Sequence, residues 1–492
     1  MKHFLRLGAT ALFVLSSSIS ASSLTASDTF GDATPPPKEL KPGFETITEE
    51  QSEEWLSILV GDGFDGRGTG QEGYVRAAAF VAGKLSEFGF QPMGENGTYF
   101  QNLPFFKVTP DVEASSISLG DIKITGEDAL GFTSFSDSVR IEGNLVIINA
   151  QGEGARIENP DVIRDKVVLV QEKDTDRRFA FALARSGAKA VIQISDKPTS
   201  TTQTVRDGGR FGGGGVSAEI TKEAANKLAA AAGLDGVGKL DGNGVQIKST
   251  TQNVTIDLKV VRQPMAVPNV VGWLEGSDPE LKHEYVVIGG HLDHLGKRGD
   301  AIYPGADDNG SGSTAILQVA KALHENPVKP KRSVLYIAFA AEEMGLLGSA
   351  YFADNPTQPL ENCVCMFNID MVGRNEETDN EPASENTESI HLIGSQQYSS
   401  DLHKLMLECN KHVGFKFEYD EEERVFRRSD HYNFFKNDIP VAFVFGGFNP
   451  HYHQQSDGLN DINYEKIANC ARLYYLAIHA VADHGPFERD KE

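Results

Sequence analysis

Short apolar runs in the second half of this chain stop, one after another, on a histidine or a carboxylate. Val286–Gly290 leads into His291, Val334–Ala341 into Glu342 and Glu343, and Cys363–Ile369 into Asp370. A further block, P-G-A-D-D-N-G-S-G (Pro304–Gly312), sets Asp307, Asp308 and Asn309 just ahead of a helix-like stretch. Runs of this kind, bounded by Gly or charge, fit strands buried on both faces. The expected strands Tyr285–Gly289, Ser333–Ala340, Cys363–Ile369, Ile390–Ile393 and Val441–Phe445 alternate with helical patterns at Ser311–His324, Leu346–Ala353, Ser399–His412 and Tyr464–Asp483. That alternation predicts an α/β fold with a doubly wound, mostly parallel sheet sandwiched by helices. Open sheets of this type bind ligands at the carboxyl ends of their strands. His291, Asp308 and the Glu342–Glu343 pair are therefore expected to meet in one crevice, as a metal site.

The residue types agree with that expectation. Two adjacent carboxylates at the mouth of a buried strand are costly unless a cation neutralises them. The glycines before His291 let backbone and metal approach closely. Asp293, two residues on, can orient His291 through its second ring nitrogen. Taken alone, Asp307–Asp308–Asn309 also reads as helix capping, and Asp370 as a strand-end residue opening a turn. Downstream, R-R-S-D-H-Y (Arg427–Tyr432) and H-Y-H-Q-Q-S-D (His451–Asp457) supply a second imidazole and a phenol. His453 and Tyr452 stand out, with His451 and His431 as rival ligands that spacing leaves open. Imidazoles combined with carboxylates suit zinc better than magnesium or calcium.

The blocks G-H-L-D, P-G-A-D-D-N-G-S-G, F-A-A-E-E-M-G-L-L-G-S, N-I-D-M and Y-H-Q-Q-S-D together resemble the secreted two-zinc aminopeptidases. That family of zinc exopeptidases also holds the glutamate carboxypeptidases and glutaminyl cyclases. The resemblance runs from about Thr46 to the C-terminus. It implies that Asp308 bridges two zinc ions, with His291 and Asp370 completing one and Glu343 and His453 the other. It implies Glu342 as general base, Asp293 as the partner that orients His291, and Tyr452 as a donor to the developing oxyanion. Arg428 and Phe445 would line the substrate pocket, and the Asp308–Asn309 peptide would be cis. His294 stands where the family often has Ser, and Gly458 where Thr is usual. Both are expected to stay clear of the ligands. The implied activity is that of an exported metallo-exopeptidase taking N-terminal residues from peptides with a free N-terminus. A glutamate-type carboxypeptidase or dipeptidase is the neighbouring alternative. A catalytically inactive binding scaffold, as in transferrin-receptor-like proteins, is the alternative of another class.

The remaining sequence bounds the setting. Lys2 and Arg6, the apolar stretch Leu7–Leu15 and the small residues after it read as a secretory signal over residues 1–25, implying a secreted or periplasmic protein. No later stretch is long and apolar enough to span a bilayer. A formal net charge of −24 argues against nucleic-acid binding. Residues 45–111 and 260–492 read as the peptidase domain, and 112–259 as an inserted β-rich unit resembling the protease-associated domain through D-K-V-V-L-V and S-G-A-K-A-V-I. Within it Arg177–Ser186 reads as the helix of a βαβ module, and the Gly-rich Gly208–Gly215 as a loop. Gly66–Gly73 is expected to be a turn and Arg374–Glu388 a solvated rim. Cys363 and Cys365, two apart in a strand, are expected on one face as apolar filler.

Overall fold

The computed structural model describes residues 33–490, apart from 176–178, 180–182, 184–186, 208–215, 235–236, 239–242, 380 and 421. The expected signal over residues 1–25, the Gly208–Gly215 loop and most of the Arg177–Ser186 helix lie outside the described residues.

A nine-stranded sheet carries the site. At its centre Ser333–Phe339, Tyr285–His291, Cys363–Asp370 and Val441–Phe445 lie side by side, all parallel. The chain fills Tyr285–His291 first, then the place on one side of it, then the other. The strand order therefore reverses at Tyr285–His291, which puts His291 at the position where open α/β sheets form a crevice. The margins differ from the centre: Pro268–Leu274 pairs antiparallel with Ser333–Phe339, and Ser389–Ile393 runs antiparallel to Val441–Phe445 but parallel to Lys416–Glu418.

Helices cover both faces, as the unbroken apolar runs require. Val286 and Ile288 face one core with Trp55, Leu317 and Tyr474, while Val287 faces the other with Leu335, Phe352 and Phe434. This is the two-residue period of a strand buried on both sides. Tyr464–His484 packs on Gly312–Glu325 and Glu49–Leu59 over the first core, and Leu347–Asp354 meets His431–Phe435 over the second. The cysteine expectation needs correction. The register against Tyr285–His291 slips beside Cys363, leaving Cys363 in one core and Cys365 in the other. An extra residue in a strand flips the facing of everything beyond it. All four cysteines are free and buried.

Residues 116–258 contain a second, eight-stranded sheet with separate apolar clusters, capped by the helix Lys222–Ala231. Phe105–Pro110, entering this lobe, and Val260–Pro264, leaving it, pair with each other antiparallel. Both chain crossings are thereby tied into one small sheet, completed by Gln203–Arg206. Among the described residues no helix is long and apolar enough to cross a membrane.

Candidate metal centre

Each of the central parallel strands ends at the crevice. His291 is the last residue of its strand and Asp370 of its own. Glu342 and Glu343 follow Ser333–Phe339 by a few residues, and Asp308 opens the helical segment leading into Gly312–Glu325. His453 comes from the loop after Val441–Phe445. The side chains converge. His291 Nε2 lies 3.1 Å from Asp370 Oδ1 and 3.4 Å from Asp308 Oδ1. On the other side of Asp308, His453 Nε2 lies 3.0 Å from Asp308 Oδ2 and 3.2 Å from Glu343 Oε2. Asp308 thus presents one oxygen to each half of the cluster. Glu342 stands next to it, 3.9 Å from His291 Nε2, and lines the pocket above. His291 Nδ1 is 3.0 Å from the Asp293 carbonyl and 3.9 Å from its carboxylate. The contact expected from the carboxylate is therefore made by the backbone oxygen. The Asp308–Asn309 peptide is cis.

The rival histidines lie elsewhere. His431 is wholly buried and stacked on Phe443 at 4.5 Å, and His451 is held by Ser456 at 2.9 Å. His294, expected to stay clear of the ligands, does not: its Nδ1 is 2.8 Å from Glu343 Oε1 and 3.7 Å from Asp308 Oδ2. The expectation came from the family pattern at that position, whereas here His294 is bridged to Gly68 and its N–H is held by the Arg67 carbonyl, which sets the ring beside Glu343.

With this geometry in view, likeness to known proteins is informative. Residues 269–478 match Peptidase family M28. That stretch contains all of the converging side chains, from His291 to His453. The chain is 27% identical over 329 residues to aminopeptidase YwaD of Bacillus subtilis, covering 64% of this chain and 62% of that one. It is 28% identical over 245 residues to a probable leucine aminopeptidase 2 of Aspergillus fumigatus, covering 49% and 43%. The chain spans less than two thirds of the length of these relatives. Two solved structures share the fold at 20% identity and a TM-score of 0.51: an aminopeptidase from Aneurinibacillus sp. strain AM-1 (92% of this chain, 97% of that one) and a zinc aminopeptidase from Bacillus subtilis (88% and 95%).

Electrostatics of the centre follow from burying carboxylates together. Burial drives Glu342 well above the ordinary carboxylate range; His291 opposes this, and the neighbouring Asp370, Asp430 and Glu343 reinforce it. Asp308 is raised by burial and by Glu343. Burial also pushes Glu343 up, but His294 and His453 outweigh it and hold Glu343 below its usual value. Burial lowers His453, yet Asp308 and Glu343 overcome this and bring it to about 10. The cluster thus demands positive charge. A divalent cation supplies it while leaving the imidazoles neutral, the state in which they ligate. The donor atoms fall into two groups of metal-site spacing, His291–Asp308–Asp370 and His294–Asp308–Glu343. Both His294 nitrogens and Glu343 Oε1 are buried without a hydrogen bond. Buried polar atoms left over after hydrogen bonding call for a partner, and one cation can serve both residues. Oxygen and imidazole donors together suit zinc. A third group, Glu376, His391 and Glu418, is balanced differently, since Lys416 lies 3.0 Å from Glu418 and Lys466 faces both glutamates.

Several residues that brace the centre escaped the sequence reading. Gly66–Gly73 is more than a turn. Fully buried Arg67 donates to four carbonyl oxygens, those of Leu59, Leu292, Pro304 and Gly305, at 2.7–3.0 Å. Thr69 donates to Asp293 Oδ2 at 2.7 Å, and Asp293 Oδ1 accepts the Glu342 N–H at 3.0 Å. Burial raises Asp293 to about 6, against the pull of His291 and Thr69. The Arg374–Glu388 segment is a solvated rim only in part. Its first residue, Arg374, is buried and pairs with Asp457 at 3.2 Å, and Asp457 in turn accepts the N–H groups of Asp307 and Asp308. Asp307 is no helix cap: its Oδ1 accepts the Gly373 and Arg374 N–H groups. Asn309 does take the Gly312 N–H, and also holds the Met371 N–H and the Ile369 carbonyl. Partnerships across such sequence distances leave no local periodicity to read.

Above the centre, the pocket is walled by Val425, Phe443, Phe445 and Phe448, with Arg428 and Tyr452 at its edge. Arg428 donates to the Tyr452 hydroxyl at 3.1 Å and stacks on Phe448, a wall residue the sequence reading did not include.

Proposed function

We propose that this chain is an exported zinc aminopeptidase holding two ions. Asp308 is shared between His291–Asp370 and Glu343–His453, and Glu342 is the general base. The observation that carries this reading is the split of Asp308, one oxygen facing each imidazole–carboxylate pair, with Glu342 outside both donor groups. When bound, the ions polarise the scissile carbonyl and make water acidic enough to lose a proton near neutral pH. Glu342 would take that proton as the C–O bond forms and pass it to the departing amine nitrogen as the C–N bond breaks. Arg428 donates to the Tyr452 oxygen, which leaves the phenol proton free to bond the oxyanion. The aromatic wall accepts an apolar side chain. Residues 45–111 and 260–492 form the peptidase unit and 112–259 an inserted protease-associated unit, a division supported by their separate apolar clusters. Residues 1–25 would direct export.

Arg428 at the pocket edge favours a second reading, a carboxypeptidase or dipeptidase that recognises a substrate carboxylate. Hydrolysis of aminoacyl, N-acetylated and C-terminally blocked peptides, alongside a metal count, separates the two. Cleavage that requires the free amine supports the aminopeptidase, and cleavage that requires the free carboxylate rejects it. Glu342→Gln should retain both ions and lose roughly 10²–10⁴ in turnover. Near-normal turnover, or loss of metal, removes Glu342 from its role.

A further inference from the structure

We propose that His294 Nδ1 is a ligand of the ion held by Glu343 and His453, making a third imidazole in the centre. This rests on the two-ion reading above. His294 is wholly buried, and its backbone N–H is fixed by the Arg67 carbonyl at 3.2 Å. Its ring lies against Gly305, where a Cβ would come within 2.5 Å of ring carbons, so the glycine clears the space that sets the ring's direction. That direction brings Nδ1 to 2.8 Å from Glu343 Oε1, yet neither atom is hydrogen-bonded to anything. Two such atoms at contact distance without an aligned hydrogen bond are arranged as donors facing a common cation. Zinc ligands about 2.0–2.1 Å from a tetrahedral ion stand roughly 3.3 Å apart. The separations from His453 to Asp308 and Glu343, 3.0 and 3.2 Å, and from His294 to the same two carboxylates, 3.7 and 2.8 Å, bracket that value.

The consequence is an unequal pair. Asp308, Glu343, His453 and His294 give one ion four protein ligands, a closed shell, whereas His291, Asp370 and Asp308 give the other three. Closed shells are the structural kind and open ones the catalytic kind. The open one lies on the side of His291, which Glu342 also faces. Two imidazole nitrogens in that shell also select zinc or cobalt over magnesium or manganese.

The alternative is that His294 only donates a hydrogen bond to Glu343, as a positioning residue. Proton NMR of the full-length protein loaded with two cobalt(II) ions distinguishes them, because each ligating imidazole gives a strongly shifted, solvent-exchangeable N–H signal. The wild type should show three such signals, and His294→Ser and His294→Gln two. Zinc titration by calorimetry should show one site of these variants weakened by at least about 10–100-fold and the other unchanged. Two signals in the wild type overturn the proposal, even if a variant fails to fold. A wild type that takes up only one ion overturns the two-ion reading instead, so the two failures are distinguishable.

Discussion

Replacing Arg67 by Met tests whether the metal centre depends on a residue that touches no ligand. Arg67 joins the strand-end segment containing Leu292 to the segment containing Pro304 and Gly305, and both to the end of Glu49–Leu59. Methionine fills much the same volume and donates nothing. The Gly305 oxygen keeps the Gly310 N–H at 3.1 Å, so three carbonyls lose the donor that satisfied them here. Each buried group left unpaired costs about 1–3 kcal/mol. Partial hydration, and relief of the burial that lowers the guanidinium to about 10, bring the net cost toward about 3–5 kcal/mol. For a large domain that corresponds to a fall in melting temperature on the order of 5–10 °C. The assay is thermal and denaturant unfolding of wild type, Arg67→Met and Arg67→Lys, each with excess zinc and after chelation. Lysine carries the charge but not the fork, so it should recover less than half of the loss. A Met variant melting within about 1 °C of wild type, or full recovery by Lys, would refute the reasoning.

Gly305→Ala should be still more disruptive. Its φ is +63° and the added Cβ would sit 2.3 Å from the Asp308 carbonyl oxygen, so both stability and zinc uptake should fall, as unfolding and metal counting will reveal. His479 supplies a pH test far from the metal. Burial, and secondarily Lys329, lower it to about 4. A histidine depressed on folding contributes stability that is present above its unfolded value near 6.5 and lost as pH falls toward about 4. Between pH 6.5 and 5 the wild type should lose roughly 2 kcal/mol that His479→Leu does not, measured as the difference between their unfolding free energies. Identical pH slopes would contradict it. Glu342→Gln, described above, completes the set.

Local pattern carried a great deal of this protein. Apolar runs that stop on His291, Glu342 and Asp370 need no partner to be recognised, because burial on both faces writes itself into consecutive residues. The same holds for the helices Gly312–Glu325 and Tyr464–His484, whose bounds lie within a residue of those expected. What stayed hidden was made by contacts between segments distant in sequence. Arg67 and Leu292 are bonded across more than two hundred residues, and the slip at Cys363 arises from register with a neighbouring strand. His294 was misjudged for the same reason, since its bridge to Gly68, far away in sequence, places its ring beside Glu343. Sequence alone determined which side chains would stand at strand ends, because secondary structure is a short-range property. Only the tertiary structure decided which of them share a carboxylate and which hold the loops still, because those relations depend on how separate elements pack.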